Sequence, residues 1–259
     1  MKWSFAYNAA SESATVSSPT SEQGPDGLAA NVVRRDGTSH GPSWVGGAGA
    51  TSKGCDFTLS VPILPGYVVV VGANYSAAAV PKLWHNHQAD TPVELCTLAK
   101  CSPANIWVGK PSGASGTNLS YTVSDAGAPS TGLETPLILF GTRVDLTDFE
   151  VGRPTANYTA HDLSARTQGQ LGAVWTQKQR RQFRQAIQCL SHDAFGSMAA
   201  IRAMWEAVGL SELIVSFLDF DDPTHYGNTN VGFFESDLTE AIEAGLMSGF
   251  PWSVLECVG

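Results

Sequence analysis

The sequence predicts a mainly β protein made of two β-sandwich-like domains, the C-terminal one carrying one α-helix at about residues 197–208. Two observations carry this. Charged residues are 15% of the chain against the usual ~25%, and 26 glycines with 14 prolines punctuate it, a balance that favours many turns between short strands. Short β-branched and aromatic runs also recur from residue 55 to residue 140, with Gly, Pro or Ser clusters between them and no helical period.

At the N-terminus Trp3, Phe5 and Tyr7 alternate, which suits a strand with one aromatic face. Asn8, Ser11 and Glu12 interrupt any apolar run after Lys2, so a secretory signal is not expected. Residues 10–54 are rich in Ser, Thr, Gly, Pro and Ala and read as an arm or long loops, anchored at Trp44-Val45. Strands are expected over 55–61, 67–71, 93–98, 106–108, 119–123 and 137–140, separated by Pro65-Gly66, Pro111-Ser112-Gly113 and residues 125–132. That spacing reads as an antiparallel sandwich or jelly roll. The composition shifts near 141–150 and divides the chain into three parts. These are 1–54 (a strand and an arm, or part of the sandwich), 55–145 (the sandwich) and 146–259.

In the last part, Phe183, Ile187 and Cys189 alternate with Arg184 and Gln188 in a half-buried strand over 180–190. Met198, Ile201, Trp205 and Val208 fall at helical spacing, with Gly209 placed to end the helix, and the stripe reads as core. Residues 214–220 are almost continuously apolar, as in an interior strand, and 252–258 alternate as a partner in the same sheet.

The net charge of -9 argues against nucleic-acid or membrane-surface binding, each of which needs a basic face. No apolar run approaches the ~20 residues of a membrane span. Five cysteines (Cys55, Cys96, Cys101, Cys189, Cys257) are an odd count, read as reduced thiols in a protein made in the cytoplasm, with a Cys96–Cys101 disulfide as the alternative.

Candidate chemistry is sparse. His85 and His87, with Cys96 and Cys101 nearby, supply zinc-type donors, but their spacing matches no zinc motif and Pro81 and Asp90 read as loop residues. Asp219, Asp221 and Asp222, followed by His225 and Tyr226, form the densest acidic cluster, suited to calcium binding or acid–base work, but without the glycine and distal glutamate of an EF-hand loop, or to turn chemistry around Asp222-Pro223. No nucleophile elbow, phosphate loop, dinucleotide fingerprint or metalloprotease motif occurs. The basic run Lys178–Arg184, with its interleaved glutamines, reads as a solvated strand face or subunit contact. No enzyme, metal or cofactor is expected.

Residues 146–259 resemble the distal tail and minor tail proteins of long-tailed bacteriophages. The order of elements carries the resemblance: the strand Arg180–Leu190, the helix around Ala199–Trp205, the strand Leu213–Phe220 leading to Asp222-Pro223, then Phe233-Phe234 and Trp252–Glu256. The N-terminal half resembles a β-sandwich module of phage and bacterial surface proteins, on Pro65–Val71, Asn105–Val108, Lys110–Gly113 and Asn118–Val123. The resemblance implies a structural virion protein of the tail tip, made in the host cytoplasm. It implies a ring joining tail tube to tip, six-fold or else three-fold, with tail-tip and tail-tube proteins as partners. It also implies an outward sandwich that contacts host-surface carbohydrate. Candidate glycan or subunit contacts are Trp44, Trp84, Trp107, Arg180, Arg181 and Arg184, with burial in the core the alternative for each tryptophan. The alternative function is a free carbohydrate-binding or carbohydrate-active protein using the Asp219–His225 region. The ring reading predicts a discrete hexamer or trimer in light scattering across a concentration series; a monomer at every concentration would count against it.

Overall fold

The computed structural model describes residues 3–7, 9–23, 27–33, 43–86, 91–101, 106–146, 149–151, 155–157, 182–189, 197–208, 213–234, 241–243 and 247–256. The first strands are β1 (Trp3–Ala6), β2 (Thr15–Ser17), β3 (Trp44–Val45), β4 (Ser52–Ile63) and β5 (Tyr67–Val71). They are followed by β6 (Val80–His85), β7 (Val93–Thr97), β8 (Ala99–Cys101), β9 (Ile106–Gly109) and β10 (Gly116–Ser124). Next come β11 (Glu134–Thr135), β12 (Leu137–Gly141), β13 (Val144–Leu146), β14 (Phe149–Val151), β15 (Thr155–Asn157) and β16 (Gln182–Cys189). The helix α1 (Ser197–Val208) precedes β17 (Ile214–Leu218), β18 (Asn230–Phe234), β19 (Ala241–Glu243) and β20 (Met247–Glu256). The protein is thus mainly β with one α-helix among the described residues, and no helix there is long and apolar enough to cross a membrane.

An outer five-stranded sheet runs β2-β4-β10-β6-β7, and a four-stranded sheet runs β12-β5-β9-β8. Strand alternation points Cys55, Phe57, Leu59, Leu83, Leu119, Tyr121 and Val123 of the first sheet at Val68, Val70, Trp107, Ile138 and Phe140 of the second. One side of this sandwich closes because the chain passes from β7 in one sheet to β8 in the other through the single residue Leu98, itself 3% exposed. Cys96 and Cys101 lie on either side of that corner, both free. Five nearly extended residues put them roughly 10 Å or more apart, beyond the ~7 Å that a disulfide spans, so the expected alternative of a Cys96–Cys101 bridge is excluded.

The four-stranded sheet also carries a second core on its other face. Tyr67, Val69 and Val71 of β5, with Ile106, Val108 and Leu139, pack against Val215, Phe217, Phe220, Tyr226 and Val231. The sheet that brings these residues includes β13-β1-β17-β18-β20-β16-β14 in order, with β15 on β16 and β19 on β20. The architecture is therefore layered, with the four-stranded sheet in the middle. Arg143 clamps the layers together. Its guanidinium lies 4.7 Å from the Phe220 ring centre and pairs with Asp145 through Nε (2.7 Å) and Nη2 (3.0 Å), while Asp145 Oδ1 accepts from Ser4 Oγ of β1 (2.6 Å).

Hydrogen-bonded strands cross the divisions expected at residues 54 and 145. β1 pairs with β17 and β13, so the N-terminal strand belongs to the C-terminal sheet, while β2 pairs with β4 in the sandwich. The Ser/Gly-rich stretch, expected either as an arm or loops or as part of the sandwich, supplies core: Ala29, Val32 and Trp44 are 1%, 0% and 0% exposed. Short 3-10 turns at Ala10–Ser13 and Ala29–Val33 bring it there, and Ser11 Oγ accepts from the Phe140 backbone of β12 (3.3 Å).

Lys53 is the unusual core residue, 3% exposed at the start of β4. Its Nζ donates to the carbonyls of Trp44 (2.8 Å) and Leu133 (3.1 Å) and sits 4.1 Å over the Trp44 ring, which ties the β3–β11 ribbon to the sandwich. Burial draws its ammonium from the ordinary 10.5 to about 7, against the opposing pull of Cys55 and Glu134. Above pH 7 the unfolded chain keeps a proton that the folded chain releases, so this group makes stability rise with pH, by at most about 1.4 kcal/mol per unit. Burial acts in the opposite sense on the thiols, pushing Cys96 and Cys101 up to about 12 and Cys55 further, so stability declines again above about pH 9. Thermal melts at constant ionic strength are expected to show Tm rising between pH 7 and pH 9, and Lys53→Met to remove that rise whatever it does to the absolute Tm.

Candidate functional site

The outer face of the five-stranded sheet is built by a fault in the pairing of β6 with β7. Leu83 pairs with Cys96 and Trp84 with Glu94, so Leu95 is an extra, bulged residue. In a regular strand, residues three apart point to opposite faces. The bulge cancels that rule. Leu95 is buried in the core, while Glu94 and Thr97 are both exposed on the outer face, where Thr97 Oγ1 donates to Glu94 Oε1 at 2.7 Å.

Trp84 and Lys82 of β6 share this face, alternating with the inward Pro81 and Leu83. Trp84 is directly opposite Ser120 of β10, yet its Nε1 donates to Thr122 Oγ1 one pleat further on, at 2.8 Å. The indole must therefore lie across β10. Ser120, although on the outer face, is 3% exposed, as a residue beneath that ring would be. Lys82 Nζ sits over the ring, 5.2 Å from its centre, and donates to Glu94 Oε2 at 2.7 Å. This exposed pair adds at most ~1 kcal/mol to stability, so its main effect is to hold both side chains beside the ring. Hydrogen bonds from Lys82 and then Thr97 hold the Glu94 carboxyl below the usual range, keeping it anionic at neutral pH. On the far side of Ser120, Asp56 of β4 accepts from Ser120 Oγ at 2.6 Å.

The face thus carries a fixed, half-buried indole with a carboxylate on either side. Asp56 and Glu94 are three strand spacings apart, roughly 14 Å. Paired carboxylates that cleave glycosidic bonds stand about 5–9.5 Å apart.

The other expected contacts divide. Trp44 and Trp107 are 0% and 3% exposed and cannot present a platform: Trp44 Nε1 is tied to the Ser21 carbonyl (2.7 Å), and Trp107 packs on Tyr75 inside the sandwich. Arg180 and Arg181 lie outside the described residues, and Arg184 sits in β16 opposite Thr155 and Ser253. His85, expected in a loop, ends β6 and packs against Gly116, where any side chain would run into its imidazole; His87 lies outside the described residues. No cluster of three or more His, Cys, Asp or Glu could hold a metal among the described residues.

The Asp219–His225 segment forms a turn at the joint between layers. Asp222 caps a 3-10 turn by accepting from Thr224 N (2.9 Å) and Oγ1 (2.8 Å), and Asp221 pairs with Lys110 Nζ at 2.6 Å. Asp219 has a positive φ of 52°, and its Oδ2 lies 3.4 Å from His225 Nδ1. Two of the three carboxylates are therefore committed to the turn and the seam.

Lys82, Glu94, Thr97, Thr122 and Asp56 escape the sequence reading. β6 is missed because Pro81 counts against an interior strand. The structure removes that objection. Pro81 O accepts from Leu98 N (2.9 Å) just where β7 has ended, so the absent N–H falls outside the paired ladder. The alternation Lys82–Leu83–Trp84 was the available signal.

No protein-family model and no curated protein matches the chain. Among solved structures it is similar to chitosan-binding module 1 of a chitosanase/glucanase from Paenibacillus sp. IK-5, with 12% identity over 52% of this chain and 98% of that one, TM-score 0.42. It is similar to CpGH89CBM32-5 from Clostridium perfringens, in complex with GalNAc-beta-1,3-galactose, with 13% identity over 51% and 98%, TM-score 0.40. It is also similar to reduced XRCC1 bound to the DNA pol beta catalytic domain, with 14% identity over 49% and 94%, TM-score 0.38. These likenesses are too remote to assign a function.

Thr122→Val keeps the shape of the side chain and removes the anchor of the indole. A stability loss of about 1 kcal/mol is expected in chemical denaturation, together with line broadening or a shift of the Trp84 indole N–H resonance; an unchanged resonance would mean that the ring is held by packing alone.

Proposed function

We propose that this protein is a carbohydrate-binding β-sandwich protein whose outer sheet face, centred on Trp84, is the binding surface. The observation that carries this reading is the immobilised indole with Lys82, Glu94, Thr97 and Thr122 around it. An aromatic ring gives the apolar face of a pyranose a large contact at little entropic cost, and the polar rim supplies partners for its hydroxyls. The ring is fixed before any ligand arrives, so binding need not order it. The opposed charges of Lys82 and Glu94 cancel locally, which favours a neutral, hydroxyl-rich ligand over an anionic polymer.

The reading places binding on the sheet face and not in the Asp219–His225 turn, whose carboxylates serve the fold. The tail-tip ring draws no support from the similar structures, and among the described residues no contact argues for it.

Isothermal titration of the full chain against β-linked oligosaccharides, chitotriose and GalNAc-beta-1,3-galactose among them, tests the proposal. Trp84→Ala is expected to weaken any binding at least about 30-fold, the loss typical of a central aromatic contact, with a cooperative thermal melt showing that the variant still folds. Binding that survives Trp84→Ala at full strength would sink the proposal.

A further inference from the structure

The carboxylates beside Trp84 belong to one continuous row. Cα partners run Ser17 to Asp56, Asp56 to Ser120, Ser120 to Trp84 and Trp84 to Glu94, so five strands contribute to a line perpendicular to their direction. At one strand spacing per step the row is roughly 19 Å long, and sheet twist bends it gently. Trp84 is not at its end: Asp56 lies two strands to one side and Glu94 one strand to the other. A single pyranose stacked on the indole is about the size of the ring beneath it and cannot bridge two outer strands whose Cα atoms stand roughly 14 Å apart. Neighbouring sugars on both sides of it can.

Resting on the glycan-binding reading above, we infer that the site takes an extended oligosaccharide chain laid across the strands from Asp56 to Glu94. Trp84 lies under an internal sugar, and the two carboxylates accept hydroxyl hydrogen bonds from the sugars that flank it. The ligand class is thus an internal stretch of a neutral polysaccharide and not a terminal residue. A terminal-sugar site would need walls that stop the chain on one side of the indole. Here the ring, which covers Ser120, is followed across the sheet by the short Asp56 and by Ser17, and among the described residues these leave the row open.

The test uses monomer-to-hexamer ladders of β-1,4-glucose, β-1,4-N-acetylglucosamine, β-1,3-glucose and β-1,4-mannose, titrated into the full chain by calorimetry. The expected result is one ladder whose affinity rises at least about tenfold from monomer to tetramer. Asp56→Ala and Glu94→Ala should each reduce tetramer affinity about tenfold, the loss of one hydrogen bond to a charged group; Asp56→Ala should leave monomer affinity unchanged, whereas Glu94→Ala, on the rim of the ring, should weaken the monomer as well. Thermal melts establish that both variants fold. Equal affinity for all lengths, or tetramer binding indifferent to both substitutions, overturns the extended-chain inference while a Trp84→Ala defect keeps the glycan reading. Binding insensitive to Trp84→Ala, or no binding on any ladder, overturns both.

Discussion

Tyr67 to Val71 places five apolar side chains in succession on a strand, where side chains must alternate between faces, and each is at most 6% exposed. A two-layer sandwich could bury only Val68 and Val70. Tyr67, Val69 and Val71 would then meet water, at about 1.5–3 kcal/mol for each large apolar side chain. The third layer follows from this requirement. Phe217 of β17 lies 5.6 Å from the Tyr67 ring centre, and Phe220 and Tyr226 continue the contact toward Cys101, whose Sγ donates to the Tyr226 carbonyl at 2.9 Å. Once β17 is there, β1 pairs with it, and Ser4, Asp145 and Arg143 join as the clamp.

The same arrangement separates the roles of the two sheets in the sandwich. The four-stranded sheet is covered on both faces, so it is available only to packing. The five-stranded sheet has one face in the core and one in water, and its outward positions are mostly polar, among them Thr15, Ser17, Asp56, Thr58, Asn118, Thr122, Lys82 and Glu94, with Val80 exposed at the start of β6. Trp84 stands apart in that company. It is a large aromatic ring on a polar face, anchored by its N–H and bordered by a salt bridge.

The acidic cluster illustrates the reverse situation. Asp219, Asp221 and Asp222 are dense in sequence and chemically suggestive, yet the turn uses Asp222 as a cap and the seam uses Asp221 as a partner for Lys110. Carboxylates close in sequence were serving backbone geometry, while Asp56 and Glu94, 38 positions apart by subtraction of their numbers, share one surface row.

What the sequence determined by itself was local. The strands at 67–71 and 214–218 and the helix Ser197–Val208 were legible because alternation, continuous apolar runs and helical spacing are properties of neighbouring residues. Trp44, Trp84 and Trp107 look alike at that level, and only the tertiary structure decided that two are core and one lies on the outer face of a sheet. The reason is that exposure depends on which sheet covers a strand and on the cross-strand register. The bulge at Leu95 moves Glu94 and Thr97 to one face, and no local pattern announces it. The second core likewise depends on residues 213–231 returning to strands formed near residue 70, a contact that chain order alone does not specify.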